Sequence, residues 1–164
     1  MKTRPPTAPE QGLINDILQL YQLHPSEKAY AHYRPDATFH DPVSIAQGLE
    51  SIKAQFNGMP KLFSSSTTQS CNVIDSEGET APSSLALDLT QHYVFKAGGA
   101  EKTLNSKVML TLDGEGRIAR HEEEWEHRPN ATGEDGFLGK LQEWRKKADA
   151  KVVEASVSSD PKEA

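Results

Sequence analysis

One cysteine, Cys71, is all that the 164 residues contain. An internal disulfide is therefore excluded, and so is a cysteine-based zinc site. Within a segment that reads as a strand, a lone cysteine is expected to be a small core residue. Long apolar runs are also missing. Residues 1–10 are polar and proline-rich, so neither a secretory signal nor a membrane span is read there, and the cytosol is the expected compartment. Basic charge is scarce: 18 Lys and Arg stand against 24 Asp and Glu, a net charge of −6. That average field repels a polyanion, and no nucleic-acid partner is expected. The one basic cluster, Arg145, Lys146, Lys147 and Lys151, is interleaved with acids and reads as a solvated helix face. Six histidines show neither H-x-x-x-H nor H-E-x-x-H spacing, so no metal site is expected. Dinucleotide, P-loop and nucleophile-elbow glycine motifs are absent as well, and no cofactor is expected.

What is present is an ordered series of periodic segments. Residues 1–9 carry three prolines and little to bury, and read as a mobile tail; residues 156–164 read the same way. Between them, residues 10–155 are expected to form one domain. Leu13, Ile17, Leu20 and Tyr21 recur at helical spacing over 10–22. A second helix is expected from Ser26 to Tyr33, and a third from Gly48 to Phe56, with Asn57-Gly58 as a left-handed stop. Ala37 to Asp41 reads as a short strand before Pro42. Past Pro60 the period changes to two. Strands are expected over 65–77, over the alternating run Leu85, Leu87, Leu89, Tyr93, Phe95, over 104–112 and over 117–126. A last amphipathic helix is expected over 137–155, with Phe137, Leu141 and Trp144 in its stripe. Helices, then an antiparallel meander, then a helix make an α+β layout.

Two stretches carry a family resemblance. Tyr33-Arg34-Pro35-Asp36-Ala37-Thr38-Phe39-His40-Asp41-Pro42, followed by Gly48 to Phe56, resembles a "Y-x-x-D-A-x-F-x-D-P … G-x-x-x-I-x-x-x-F" pattern. Asp113-Gly114-Glu115-Gly116-Arg117-Ile118-Ala119-Arg120-His121 to Trp125 resembles a "D-x-x-G-R-I-x-x-H-x-x-x-W" hairpin. Both belong to the nuclear-transport-factor-two-like superfamily, in its SnoaL-like branch, and the chain as a whole is similar to a fungal group within it. The likeness covers about residues 10–127. It implies a cone-shaped roll, with three N-terminal helices packed on a curved antiparallel sheet that encloses a pocket, and it implies frequent homodimers. Here the C-terminal helix is an addition to the family core.

Candidate chemistry follows from strand alternation. Leu89, Tyr93 and Val108 are expected to face the pocket. On the last strand Ile118, Arg120, Glu122 and Glu124 carry three charges and belong in water. The opposite set is Ala119, His121, Glu123 and Trp125, which brings an imidazole, a carboxylate and an indole into an apolar space. There desolvation would raise the carboxyl and a neighbouring histidine would tune it for acid–base work. The bland alternative is that Glu122-Glu123-Glu124 is a solvated sheet edge and Trp125 plain core. Asp41 is either a turn cap or a third acid–base candidate at the pocket mouth. Phe39, Tyr30 and Tyr33 are further expected pocket residues, the tyrosines as donors or as packing. Three functions are held open. The first is a domain that binds a small apolar molecule, and the second a cofactor-free isomerase, dehydratase or cyclase using His121, Glu123 or Asp41. The third is a dimeric interaction module, which would show a pocket too small for a ligand, below the ~300 Å³ of ordinary ligand sites. Thr90, His92, Val94, Met109 and Thr111 form the expected dimer face.

Overall fold

The computed structural model describes residues 1–75 and 84–126, together with 141 and 143. It contains β1 (Thr3–Arg4), α1 (Ala8–Tyr21), α2 (Glu27–Tyr30), β2 (Tyr33–Asp41), β3 (Ser44–Gln47) and α3 (Leu49–Leu62). Four long strands follow: β4 (Phe63–Ile74), β5 (Ser84–Phe95), β6 (Glu101–Leu112) and β7 (Ile118–Trp125). No helix among the described residues is long and apolar enough to cross a membrane. The expected C-terminal helix and tail lie outside the described residues, apart from Leu141 and Glu143.

All seven strands join in one sheet, in the order β1-β4-β5-β6-β7-β2-β3. The meander β4 to β7 is antiparallel, as short connections require. The sheet as a whole is mixed rather than antiparallel, because β2 runs parallel to β7 and sets Phe39 beside His121. A long stretch of chain separates these two strands, so no tight turn dictates their direction. Between Tyr33 and Thr38 the ladder shifts register, where Pro35 has no N–H to donate.

The helices cover one face of the sheet. Leu13, Ile14, Ile17, Leu20 and Tyr21 are the buried stripe of α1, and Ile52, Phe56 and Met59 that of α3. Beneath them lie Leu85, Leu87, Leu89, Tyr93 and Phe95 of β5 and Leu104, Val108 and Leu110 of β6. Two helix boundaries differ from expectation. The second helix ends at Tyr30, and Tyr33 already pairs with Ile118 in the sheet. Asn57-Gly58 does not stop α3, which runs on to Leu62. An interior glycine costs about 1 kcal/mol, and burial of Met59 and then Phe63 on the same side outweighs it.

Residues 1–9, expected as a mobile tail, are ordered at their strand. Thr3 and Arg4 pair with Ile74 and Val73 along the edge of β4. Arg4 then reaches Glu10 with two hydrogen bonds of 2.8 Å, and Glu10 with Thr7 closes a capping box at the start of α1. The Arg4 hydrogen bonds hold the Glu10 carboxyl at about 2, against an ordinary 4.5. A depressed carboxylate adds stability above its unfolded value and loses it as pH falls through the folded one. Solvent screens this pair, since the Arg4 side chain is 35% exposed, so the contribution is about 1 kcal/mol. Arg4→Ala is expected to lower the melting temperature by about 2–4 °C at neutral pH. The deficit should shrink as pH drops from about 5 towards 2. A deficit independent of pH would assign the effect to strand pairing instead.

Candidate active site

Strand β7 presents His121, Glu123 and Trp125 inward and leaves Arg120, Glu122 and Glu124 on the other face, whereas Ile118, expected in water with them, is fully buried because the pairing with β6 shifts register between Ile118 and Arg120. Their neighbours come from elements far away in sequence. β2 lies alongside and supplies Phe39 and Tyr33, while the end of α1 supplies Tyr21. The inward face of β6 supplies Ser106, between Leu104 and Val108.

His121 has no exposed surface. Phe39 meets its ring edge-on with centroids 4.8 Å apart, and Tyr33 and Phe56 stack near it at 6.0 and 6.2 Å. Burial disfavours the charged ring and pushes its pKa down to about 3. His121 is therefore a neutral imidazole at any ordinary pH. Both nitrogens are engaged: the Tyr33 hydroxyl lies 2.8 Å from Nδ1 and the Tyr21 hydroxyl 3.0 Å from Nε2. Burial raises both phenols, and the nearby Glu123 charge adds to that, so neither ionises.

Glu123 is the other centre of the network. Its Oε2 accepts from the Tyr21 hydroxyl at 2.9 Å. Its Oε1 accepts from Ser106 at 3.1 Å and from the Trp125 indole N–H at 2.9 Å. Three donors on one carboxyl suit the ionised form, which accepts only. Leaving any of them unpaired would cost about 1–3 kcal/mol. The network is thus a specified part of the core.

Glu123 and Trp125 also line a small cavity with Tyr21, Phe39, Phe56, Met59, Phe63, Tyr93, Leu104 and Leu141. Its volume is about 20 Å³, enough for one water. A larger hollow of about 380 Å³ lies between β1, α1 and β4, walled by Ile14, Leu18 and Val73 with Arg4 and Cys71. Size alone does not make it the site. Arg4 is committed to Glu10 there, and burial raises the Cys71 thiol to about 11, so it stays protonated.

Of the residues proposed from sequence, Phe39, Tyr93, Glu123 and Trp125 line the small cavity, with His121 and Tyr33 behind Glu123. Leu89 and Val108 are buried core and not part of the lining described. Asp41 is elsewhere: its Oδ1 accepts from the Val43 and Ser44 N–H groups at 2.9 and 3.0 Å and shapes the β2–β3 turn. Tyr30 donates to Asn57 at 2.7 Å, tying α2 to α3. Burial raises that phenol too. Sequence reasoning missed Tyr21 and Ser106. Tyr21 carried a faint signal, since a buried phenol at the end of an apolar helix stripe needs a partner. Ser106 carried a clearer one, a hydroxyl at an inward position between Leu104 and Val108.

No family model matches the chain, and no curated protein does. Solved structures do match. A protein from Anabaena variabilis described as NTF2-like superposes with a TM-score of 0.59 at 17% identity, over 74% of this chain and 89% of that one. TerC, co-crystallised with polyporic acid, gives 0.51 at 17% identity, over 68% of this chain and 89% of that one. A de novo designed protein with a curved β-sheet gives 0.56 at 11% identity, over 84% of this chain and 97% of that one. A designed chain in this company fits a likeness of backbone rather than of chemistry. The chain has the NTF2-like cone fold, helices packed on a curved mixed sheet of seven strands.

Proposed function

We propose that the cavity beside Glu123 takes a small apolar molecule carrying one hydrogen-bond donor. One observation carries this reading: among the described lining residues a single carboxylate, Glu123, stands in a wall of aromatic and aliphatic side chains. Apolar walls with one placed polar group are the ordinary chemistry of a small-molecule site. TerC, crystallised with polyporic acid, supports the reading as a fold-mate holding an organic molecule.

The volume favours a second reading, an interaction module, because about 20 Å³ is far below the ~300 Å³ of ligand sites. A scaffold, however, has no need of a buried carboxylate with three donors, which is costly to desolvate. An aromatic ligand needs more room than this cavity has, and shortening Leu141 in the wall supplies it. Calorimetric titration with 2-naphthol tests this. Leu141→Ala should bind it more tightly than the parent chain. In both, 2-methoxynaphthalene, which lacks the donor, should bind about tenfold more weakly, or ~1.4 kcal/mol. No binding of 2-naphthol to either chain would end the proposal.

Proton transfer is the second function favoured by an observation, the hydrogen-bonded series behind Glu123. A carboxylate backed in this way has the position of a general base towards a carbon acid in the cavity. Pairing of two copies through Thr90, His92, Val94, Met109 and Thr111, half-buried on the outer face of β5 and β6, belongs to the same proposal.

A further inference from the structure

The four buried groups Tyr33, His121, Tyr21 and Glu123 form a continuous series of hydrogen bonds from β2 to the cavity wall. Each phenol has one proton, and the neutral ring has one. Tyr21 gives its proton to Glu123 Oε2. The 3.0 Å contact between Tyr21 and His121 Nε2 then requires an N–H on Nε2. Nδ1 is left as a bare acceptor, and the Tyr33 hydroxyl donates to it across 2.8 Å. At the other end the same sense is required independently. Tyr33 is 3% exposed, and among the described residues His121 Nδ1 is the acceptor its proton has.

We infer that this series is one-directional and reversible as a unit, so that the tautomer of His121 reports the hydrogen-bond sense at Glu123 and Tyr33 biases Glu123 towards its carboxylate form. A carboxylate only accepts, and it sets the sense Tyr33 to His121 to Tyr21 to Glu123. Once Glu123 becomes a donor, Tyr21 turns its proton to Nε2 and the ring proton moves to Nδ1. Nδ1–H then donates to the Tyr33 oxygen. In that reversed state the Tyr33 proton has no acceptor among the described residues. Reversal is therefore disfavoured from the far end, and Tyr33 acts as a positioning residue through two others. The inference stands on the network alone and holds whatever enters the cavity.

Histidine-specific ¹⁵N labelling of the full chain tests it, since a protonated and a bare ring nitrogen differ widely in chemical shift. The parent chain should show Nε2–H and a bare Nδ1. Glu123→Gln supplies the donor while keeping the shape. The Trp125 N–H can only donate, so it keeps the amide oxygen at the Oε1 position and puts the NH₂ against Tyr21. The ring should switch to Nδ1–H in that variant. Tyr21→Phe cuts the series and leaves the ring to Tyr33, so Nε2–H should persist. An Nδ1–H ring in the parent chain or in Tyr21→Phe overturns the inference. An unswitched ring in a folded Glu123→Gln overturns it too. Should that variant not fold, the other two spectra decide.

Discussion

Lowering the pH from about 7 to 3 is expected to destabilise the protein by about 5 kcal/mol through His121 alone. The ring's ordinary pKa is 6.5 and its buried value is about 3. Below 6.5 the unfolded chain takes up a proton that the folded chain refuses. The unfolded state then binds more protons, and stability falls with pH by about 1.4 kcal/mol per unit. The loss begins near 6.5 and is complete near 3. Whole domains have stabilities of about 5–15 kcal/mol, so one side chain decides whether this one survives mild acid. The structural cause is enclosure by Phe39, Phe56, Tyr21 and Tyr33, which leaves the ring no surface exposed to solvent. His121→Gln retains one donor and one acceptor for the two phenols and has nothing to titrate. Denaturant titrations at several pH values should show a flatter acid limb in that variant between 6.5 and about 4. Identical limbs would mean that the ring is already charged in the fold. The Glu10–Arg4 pair does not confuse the test, because its loss falls between about 4.5 and 2 and amounts to about 1 kcal/mol.

The half of this site on β7 could be read from the sequence for a simple reason. Period-two alternation on a sheet with one dry face leaves two choices, and Arg120, Glu122 and Glu124 rule one out. The same alternation revealed Leu85 to Phe95. Tyr33 and Phe39 were legible as pocket candidates, but not their place beside β7. That contact is a parallel pairing between strands about 80 residues apart in the chain, and nothing local encodes it. Thr3–Arg4 was missed because two residues carry no period at all. Asn57-Gly58 misled because a local stop signal was overruled by what Met59 and Phe63 bury afterwards. The cavity's volume was out of reach in principle. Free volume depends on how Tyr21, Phe56 and Leu141 pack together, and they come from three separate stretches.

Glu123→Gln is also expected to separate binding from chemistry. For a general base, exchange of the α-protons of 2-tetralone in D₂O should be catalysed by the parent chain and slowed about 100- to 10,000-fold in the variant. That range corresponds to about 2.7–5.5 kcal/mol of barrier. An amide cannot take up the proton. Its oxygen can still accept from Ser106 and Trp125, so the wall of the cavity keeps its shape. Affinity for the ketone should therefore change by less than about tenfold. Three other results are informative. If the parent chain exchanges no faster than buffer, the proton-transfer reading fails and binding alone remains. If Glu123→Gln exchanges as fast as the parent, the base is another group. If rate and affinity fall together, Glu123 is a binding group whose charge the molecule reads. His121 is not the substitute base in any of these cases, because both its nitrogens are occupied and its lone pair is hardly basic inside the fold. The carboxylate at the cavity wall is the group on which the chemistry stands or falls.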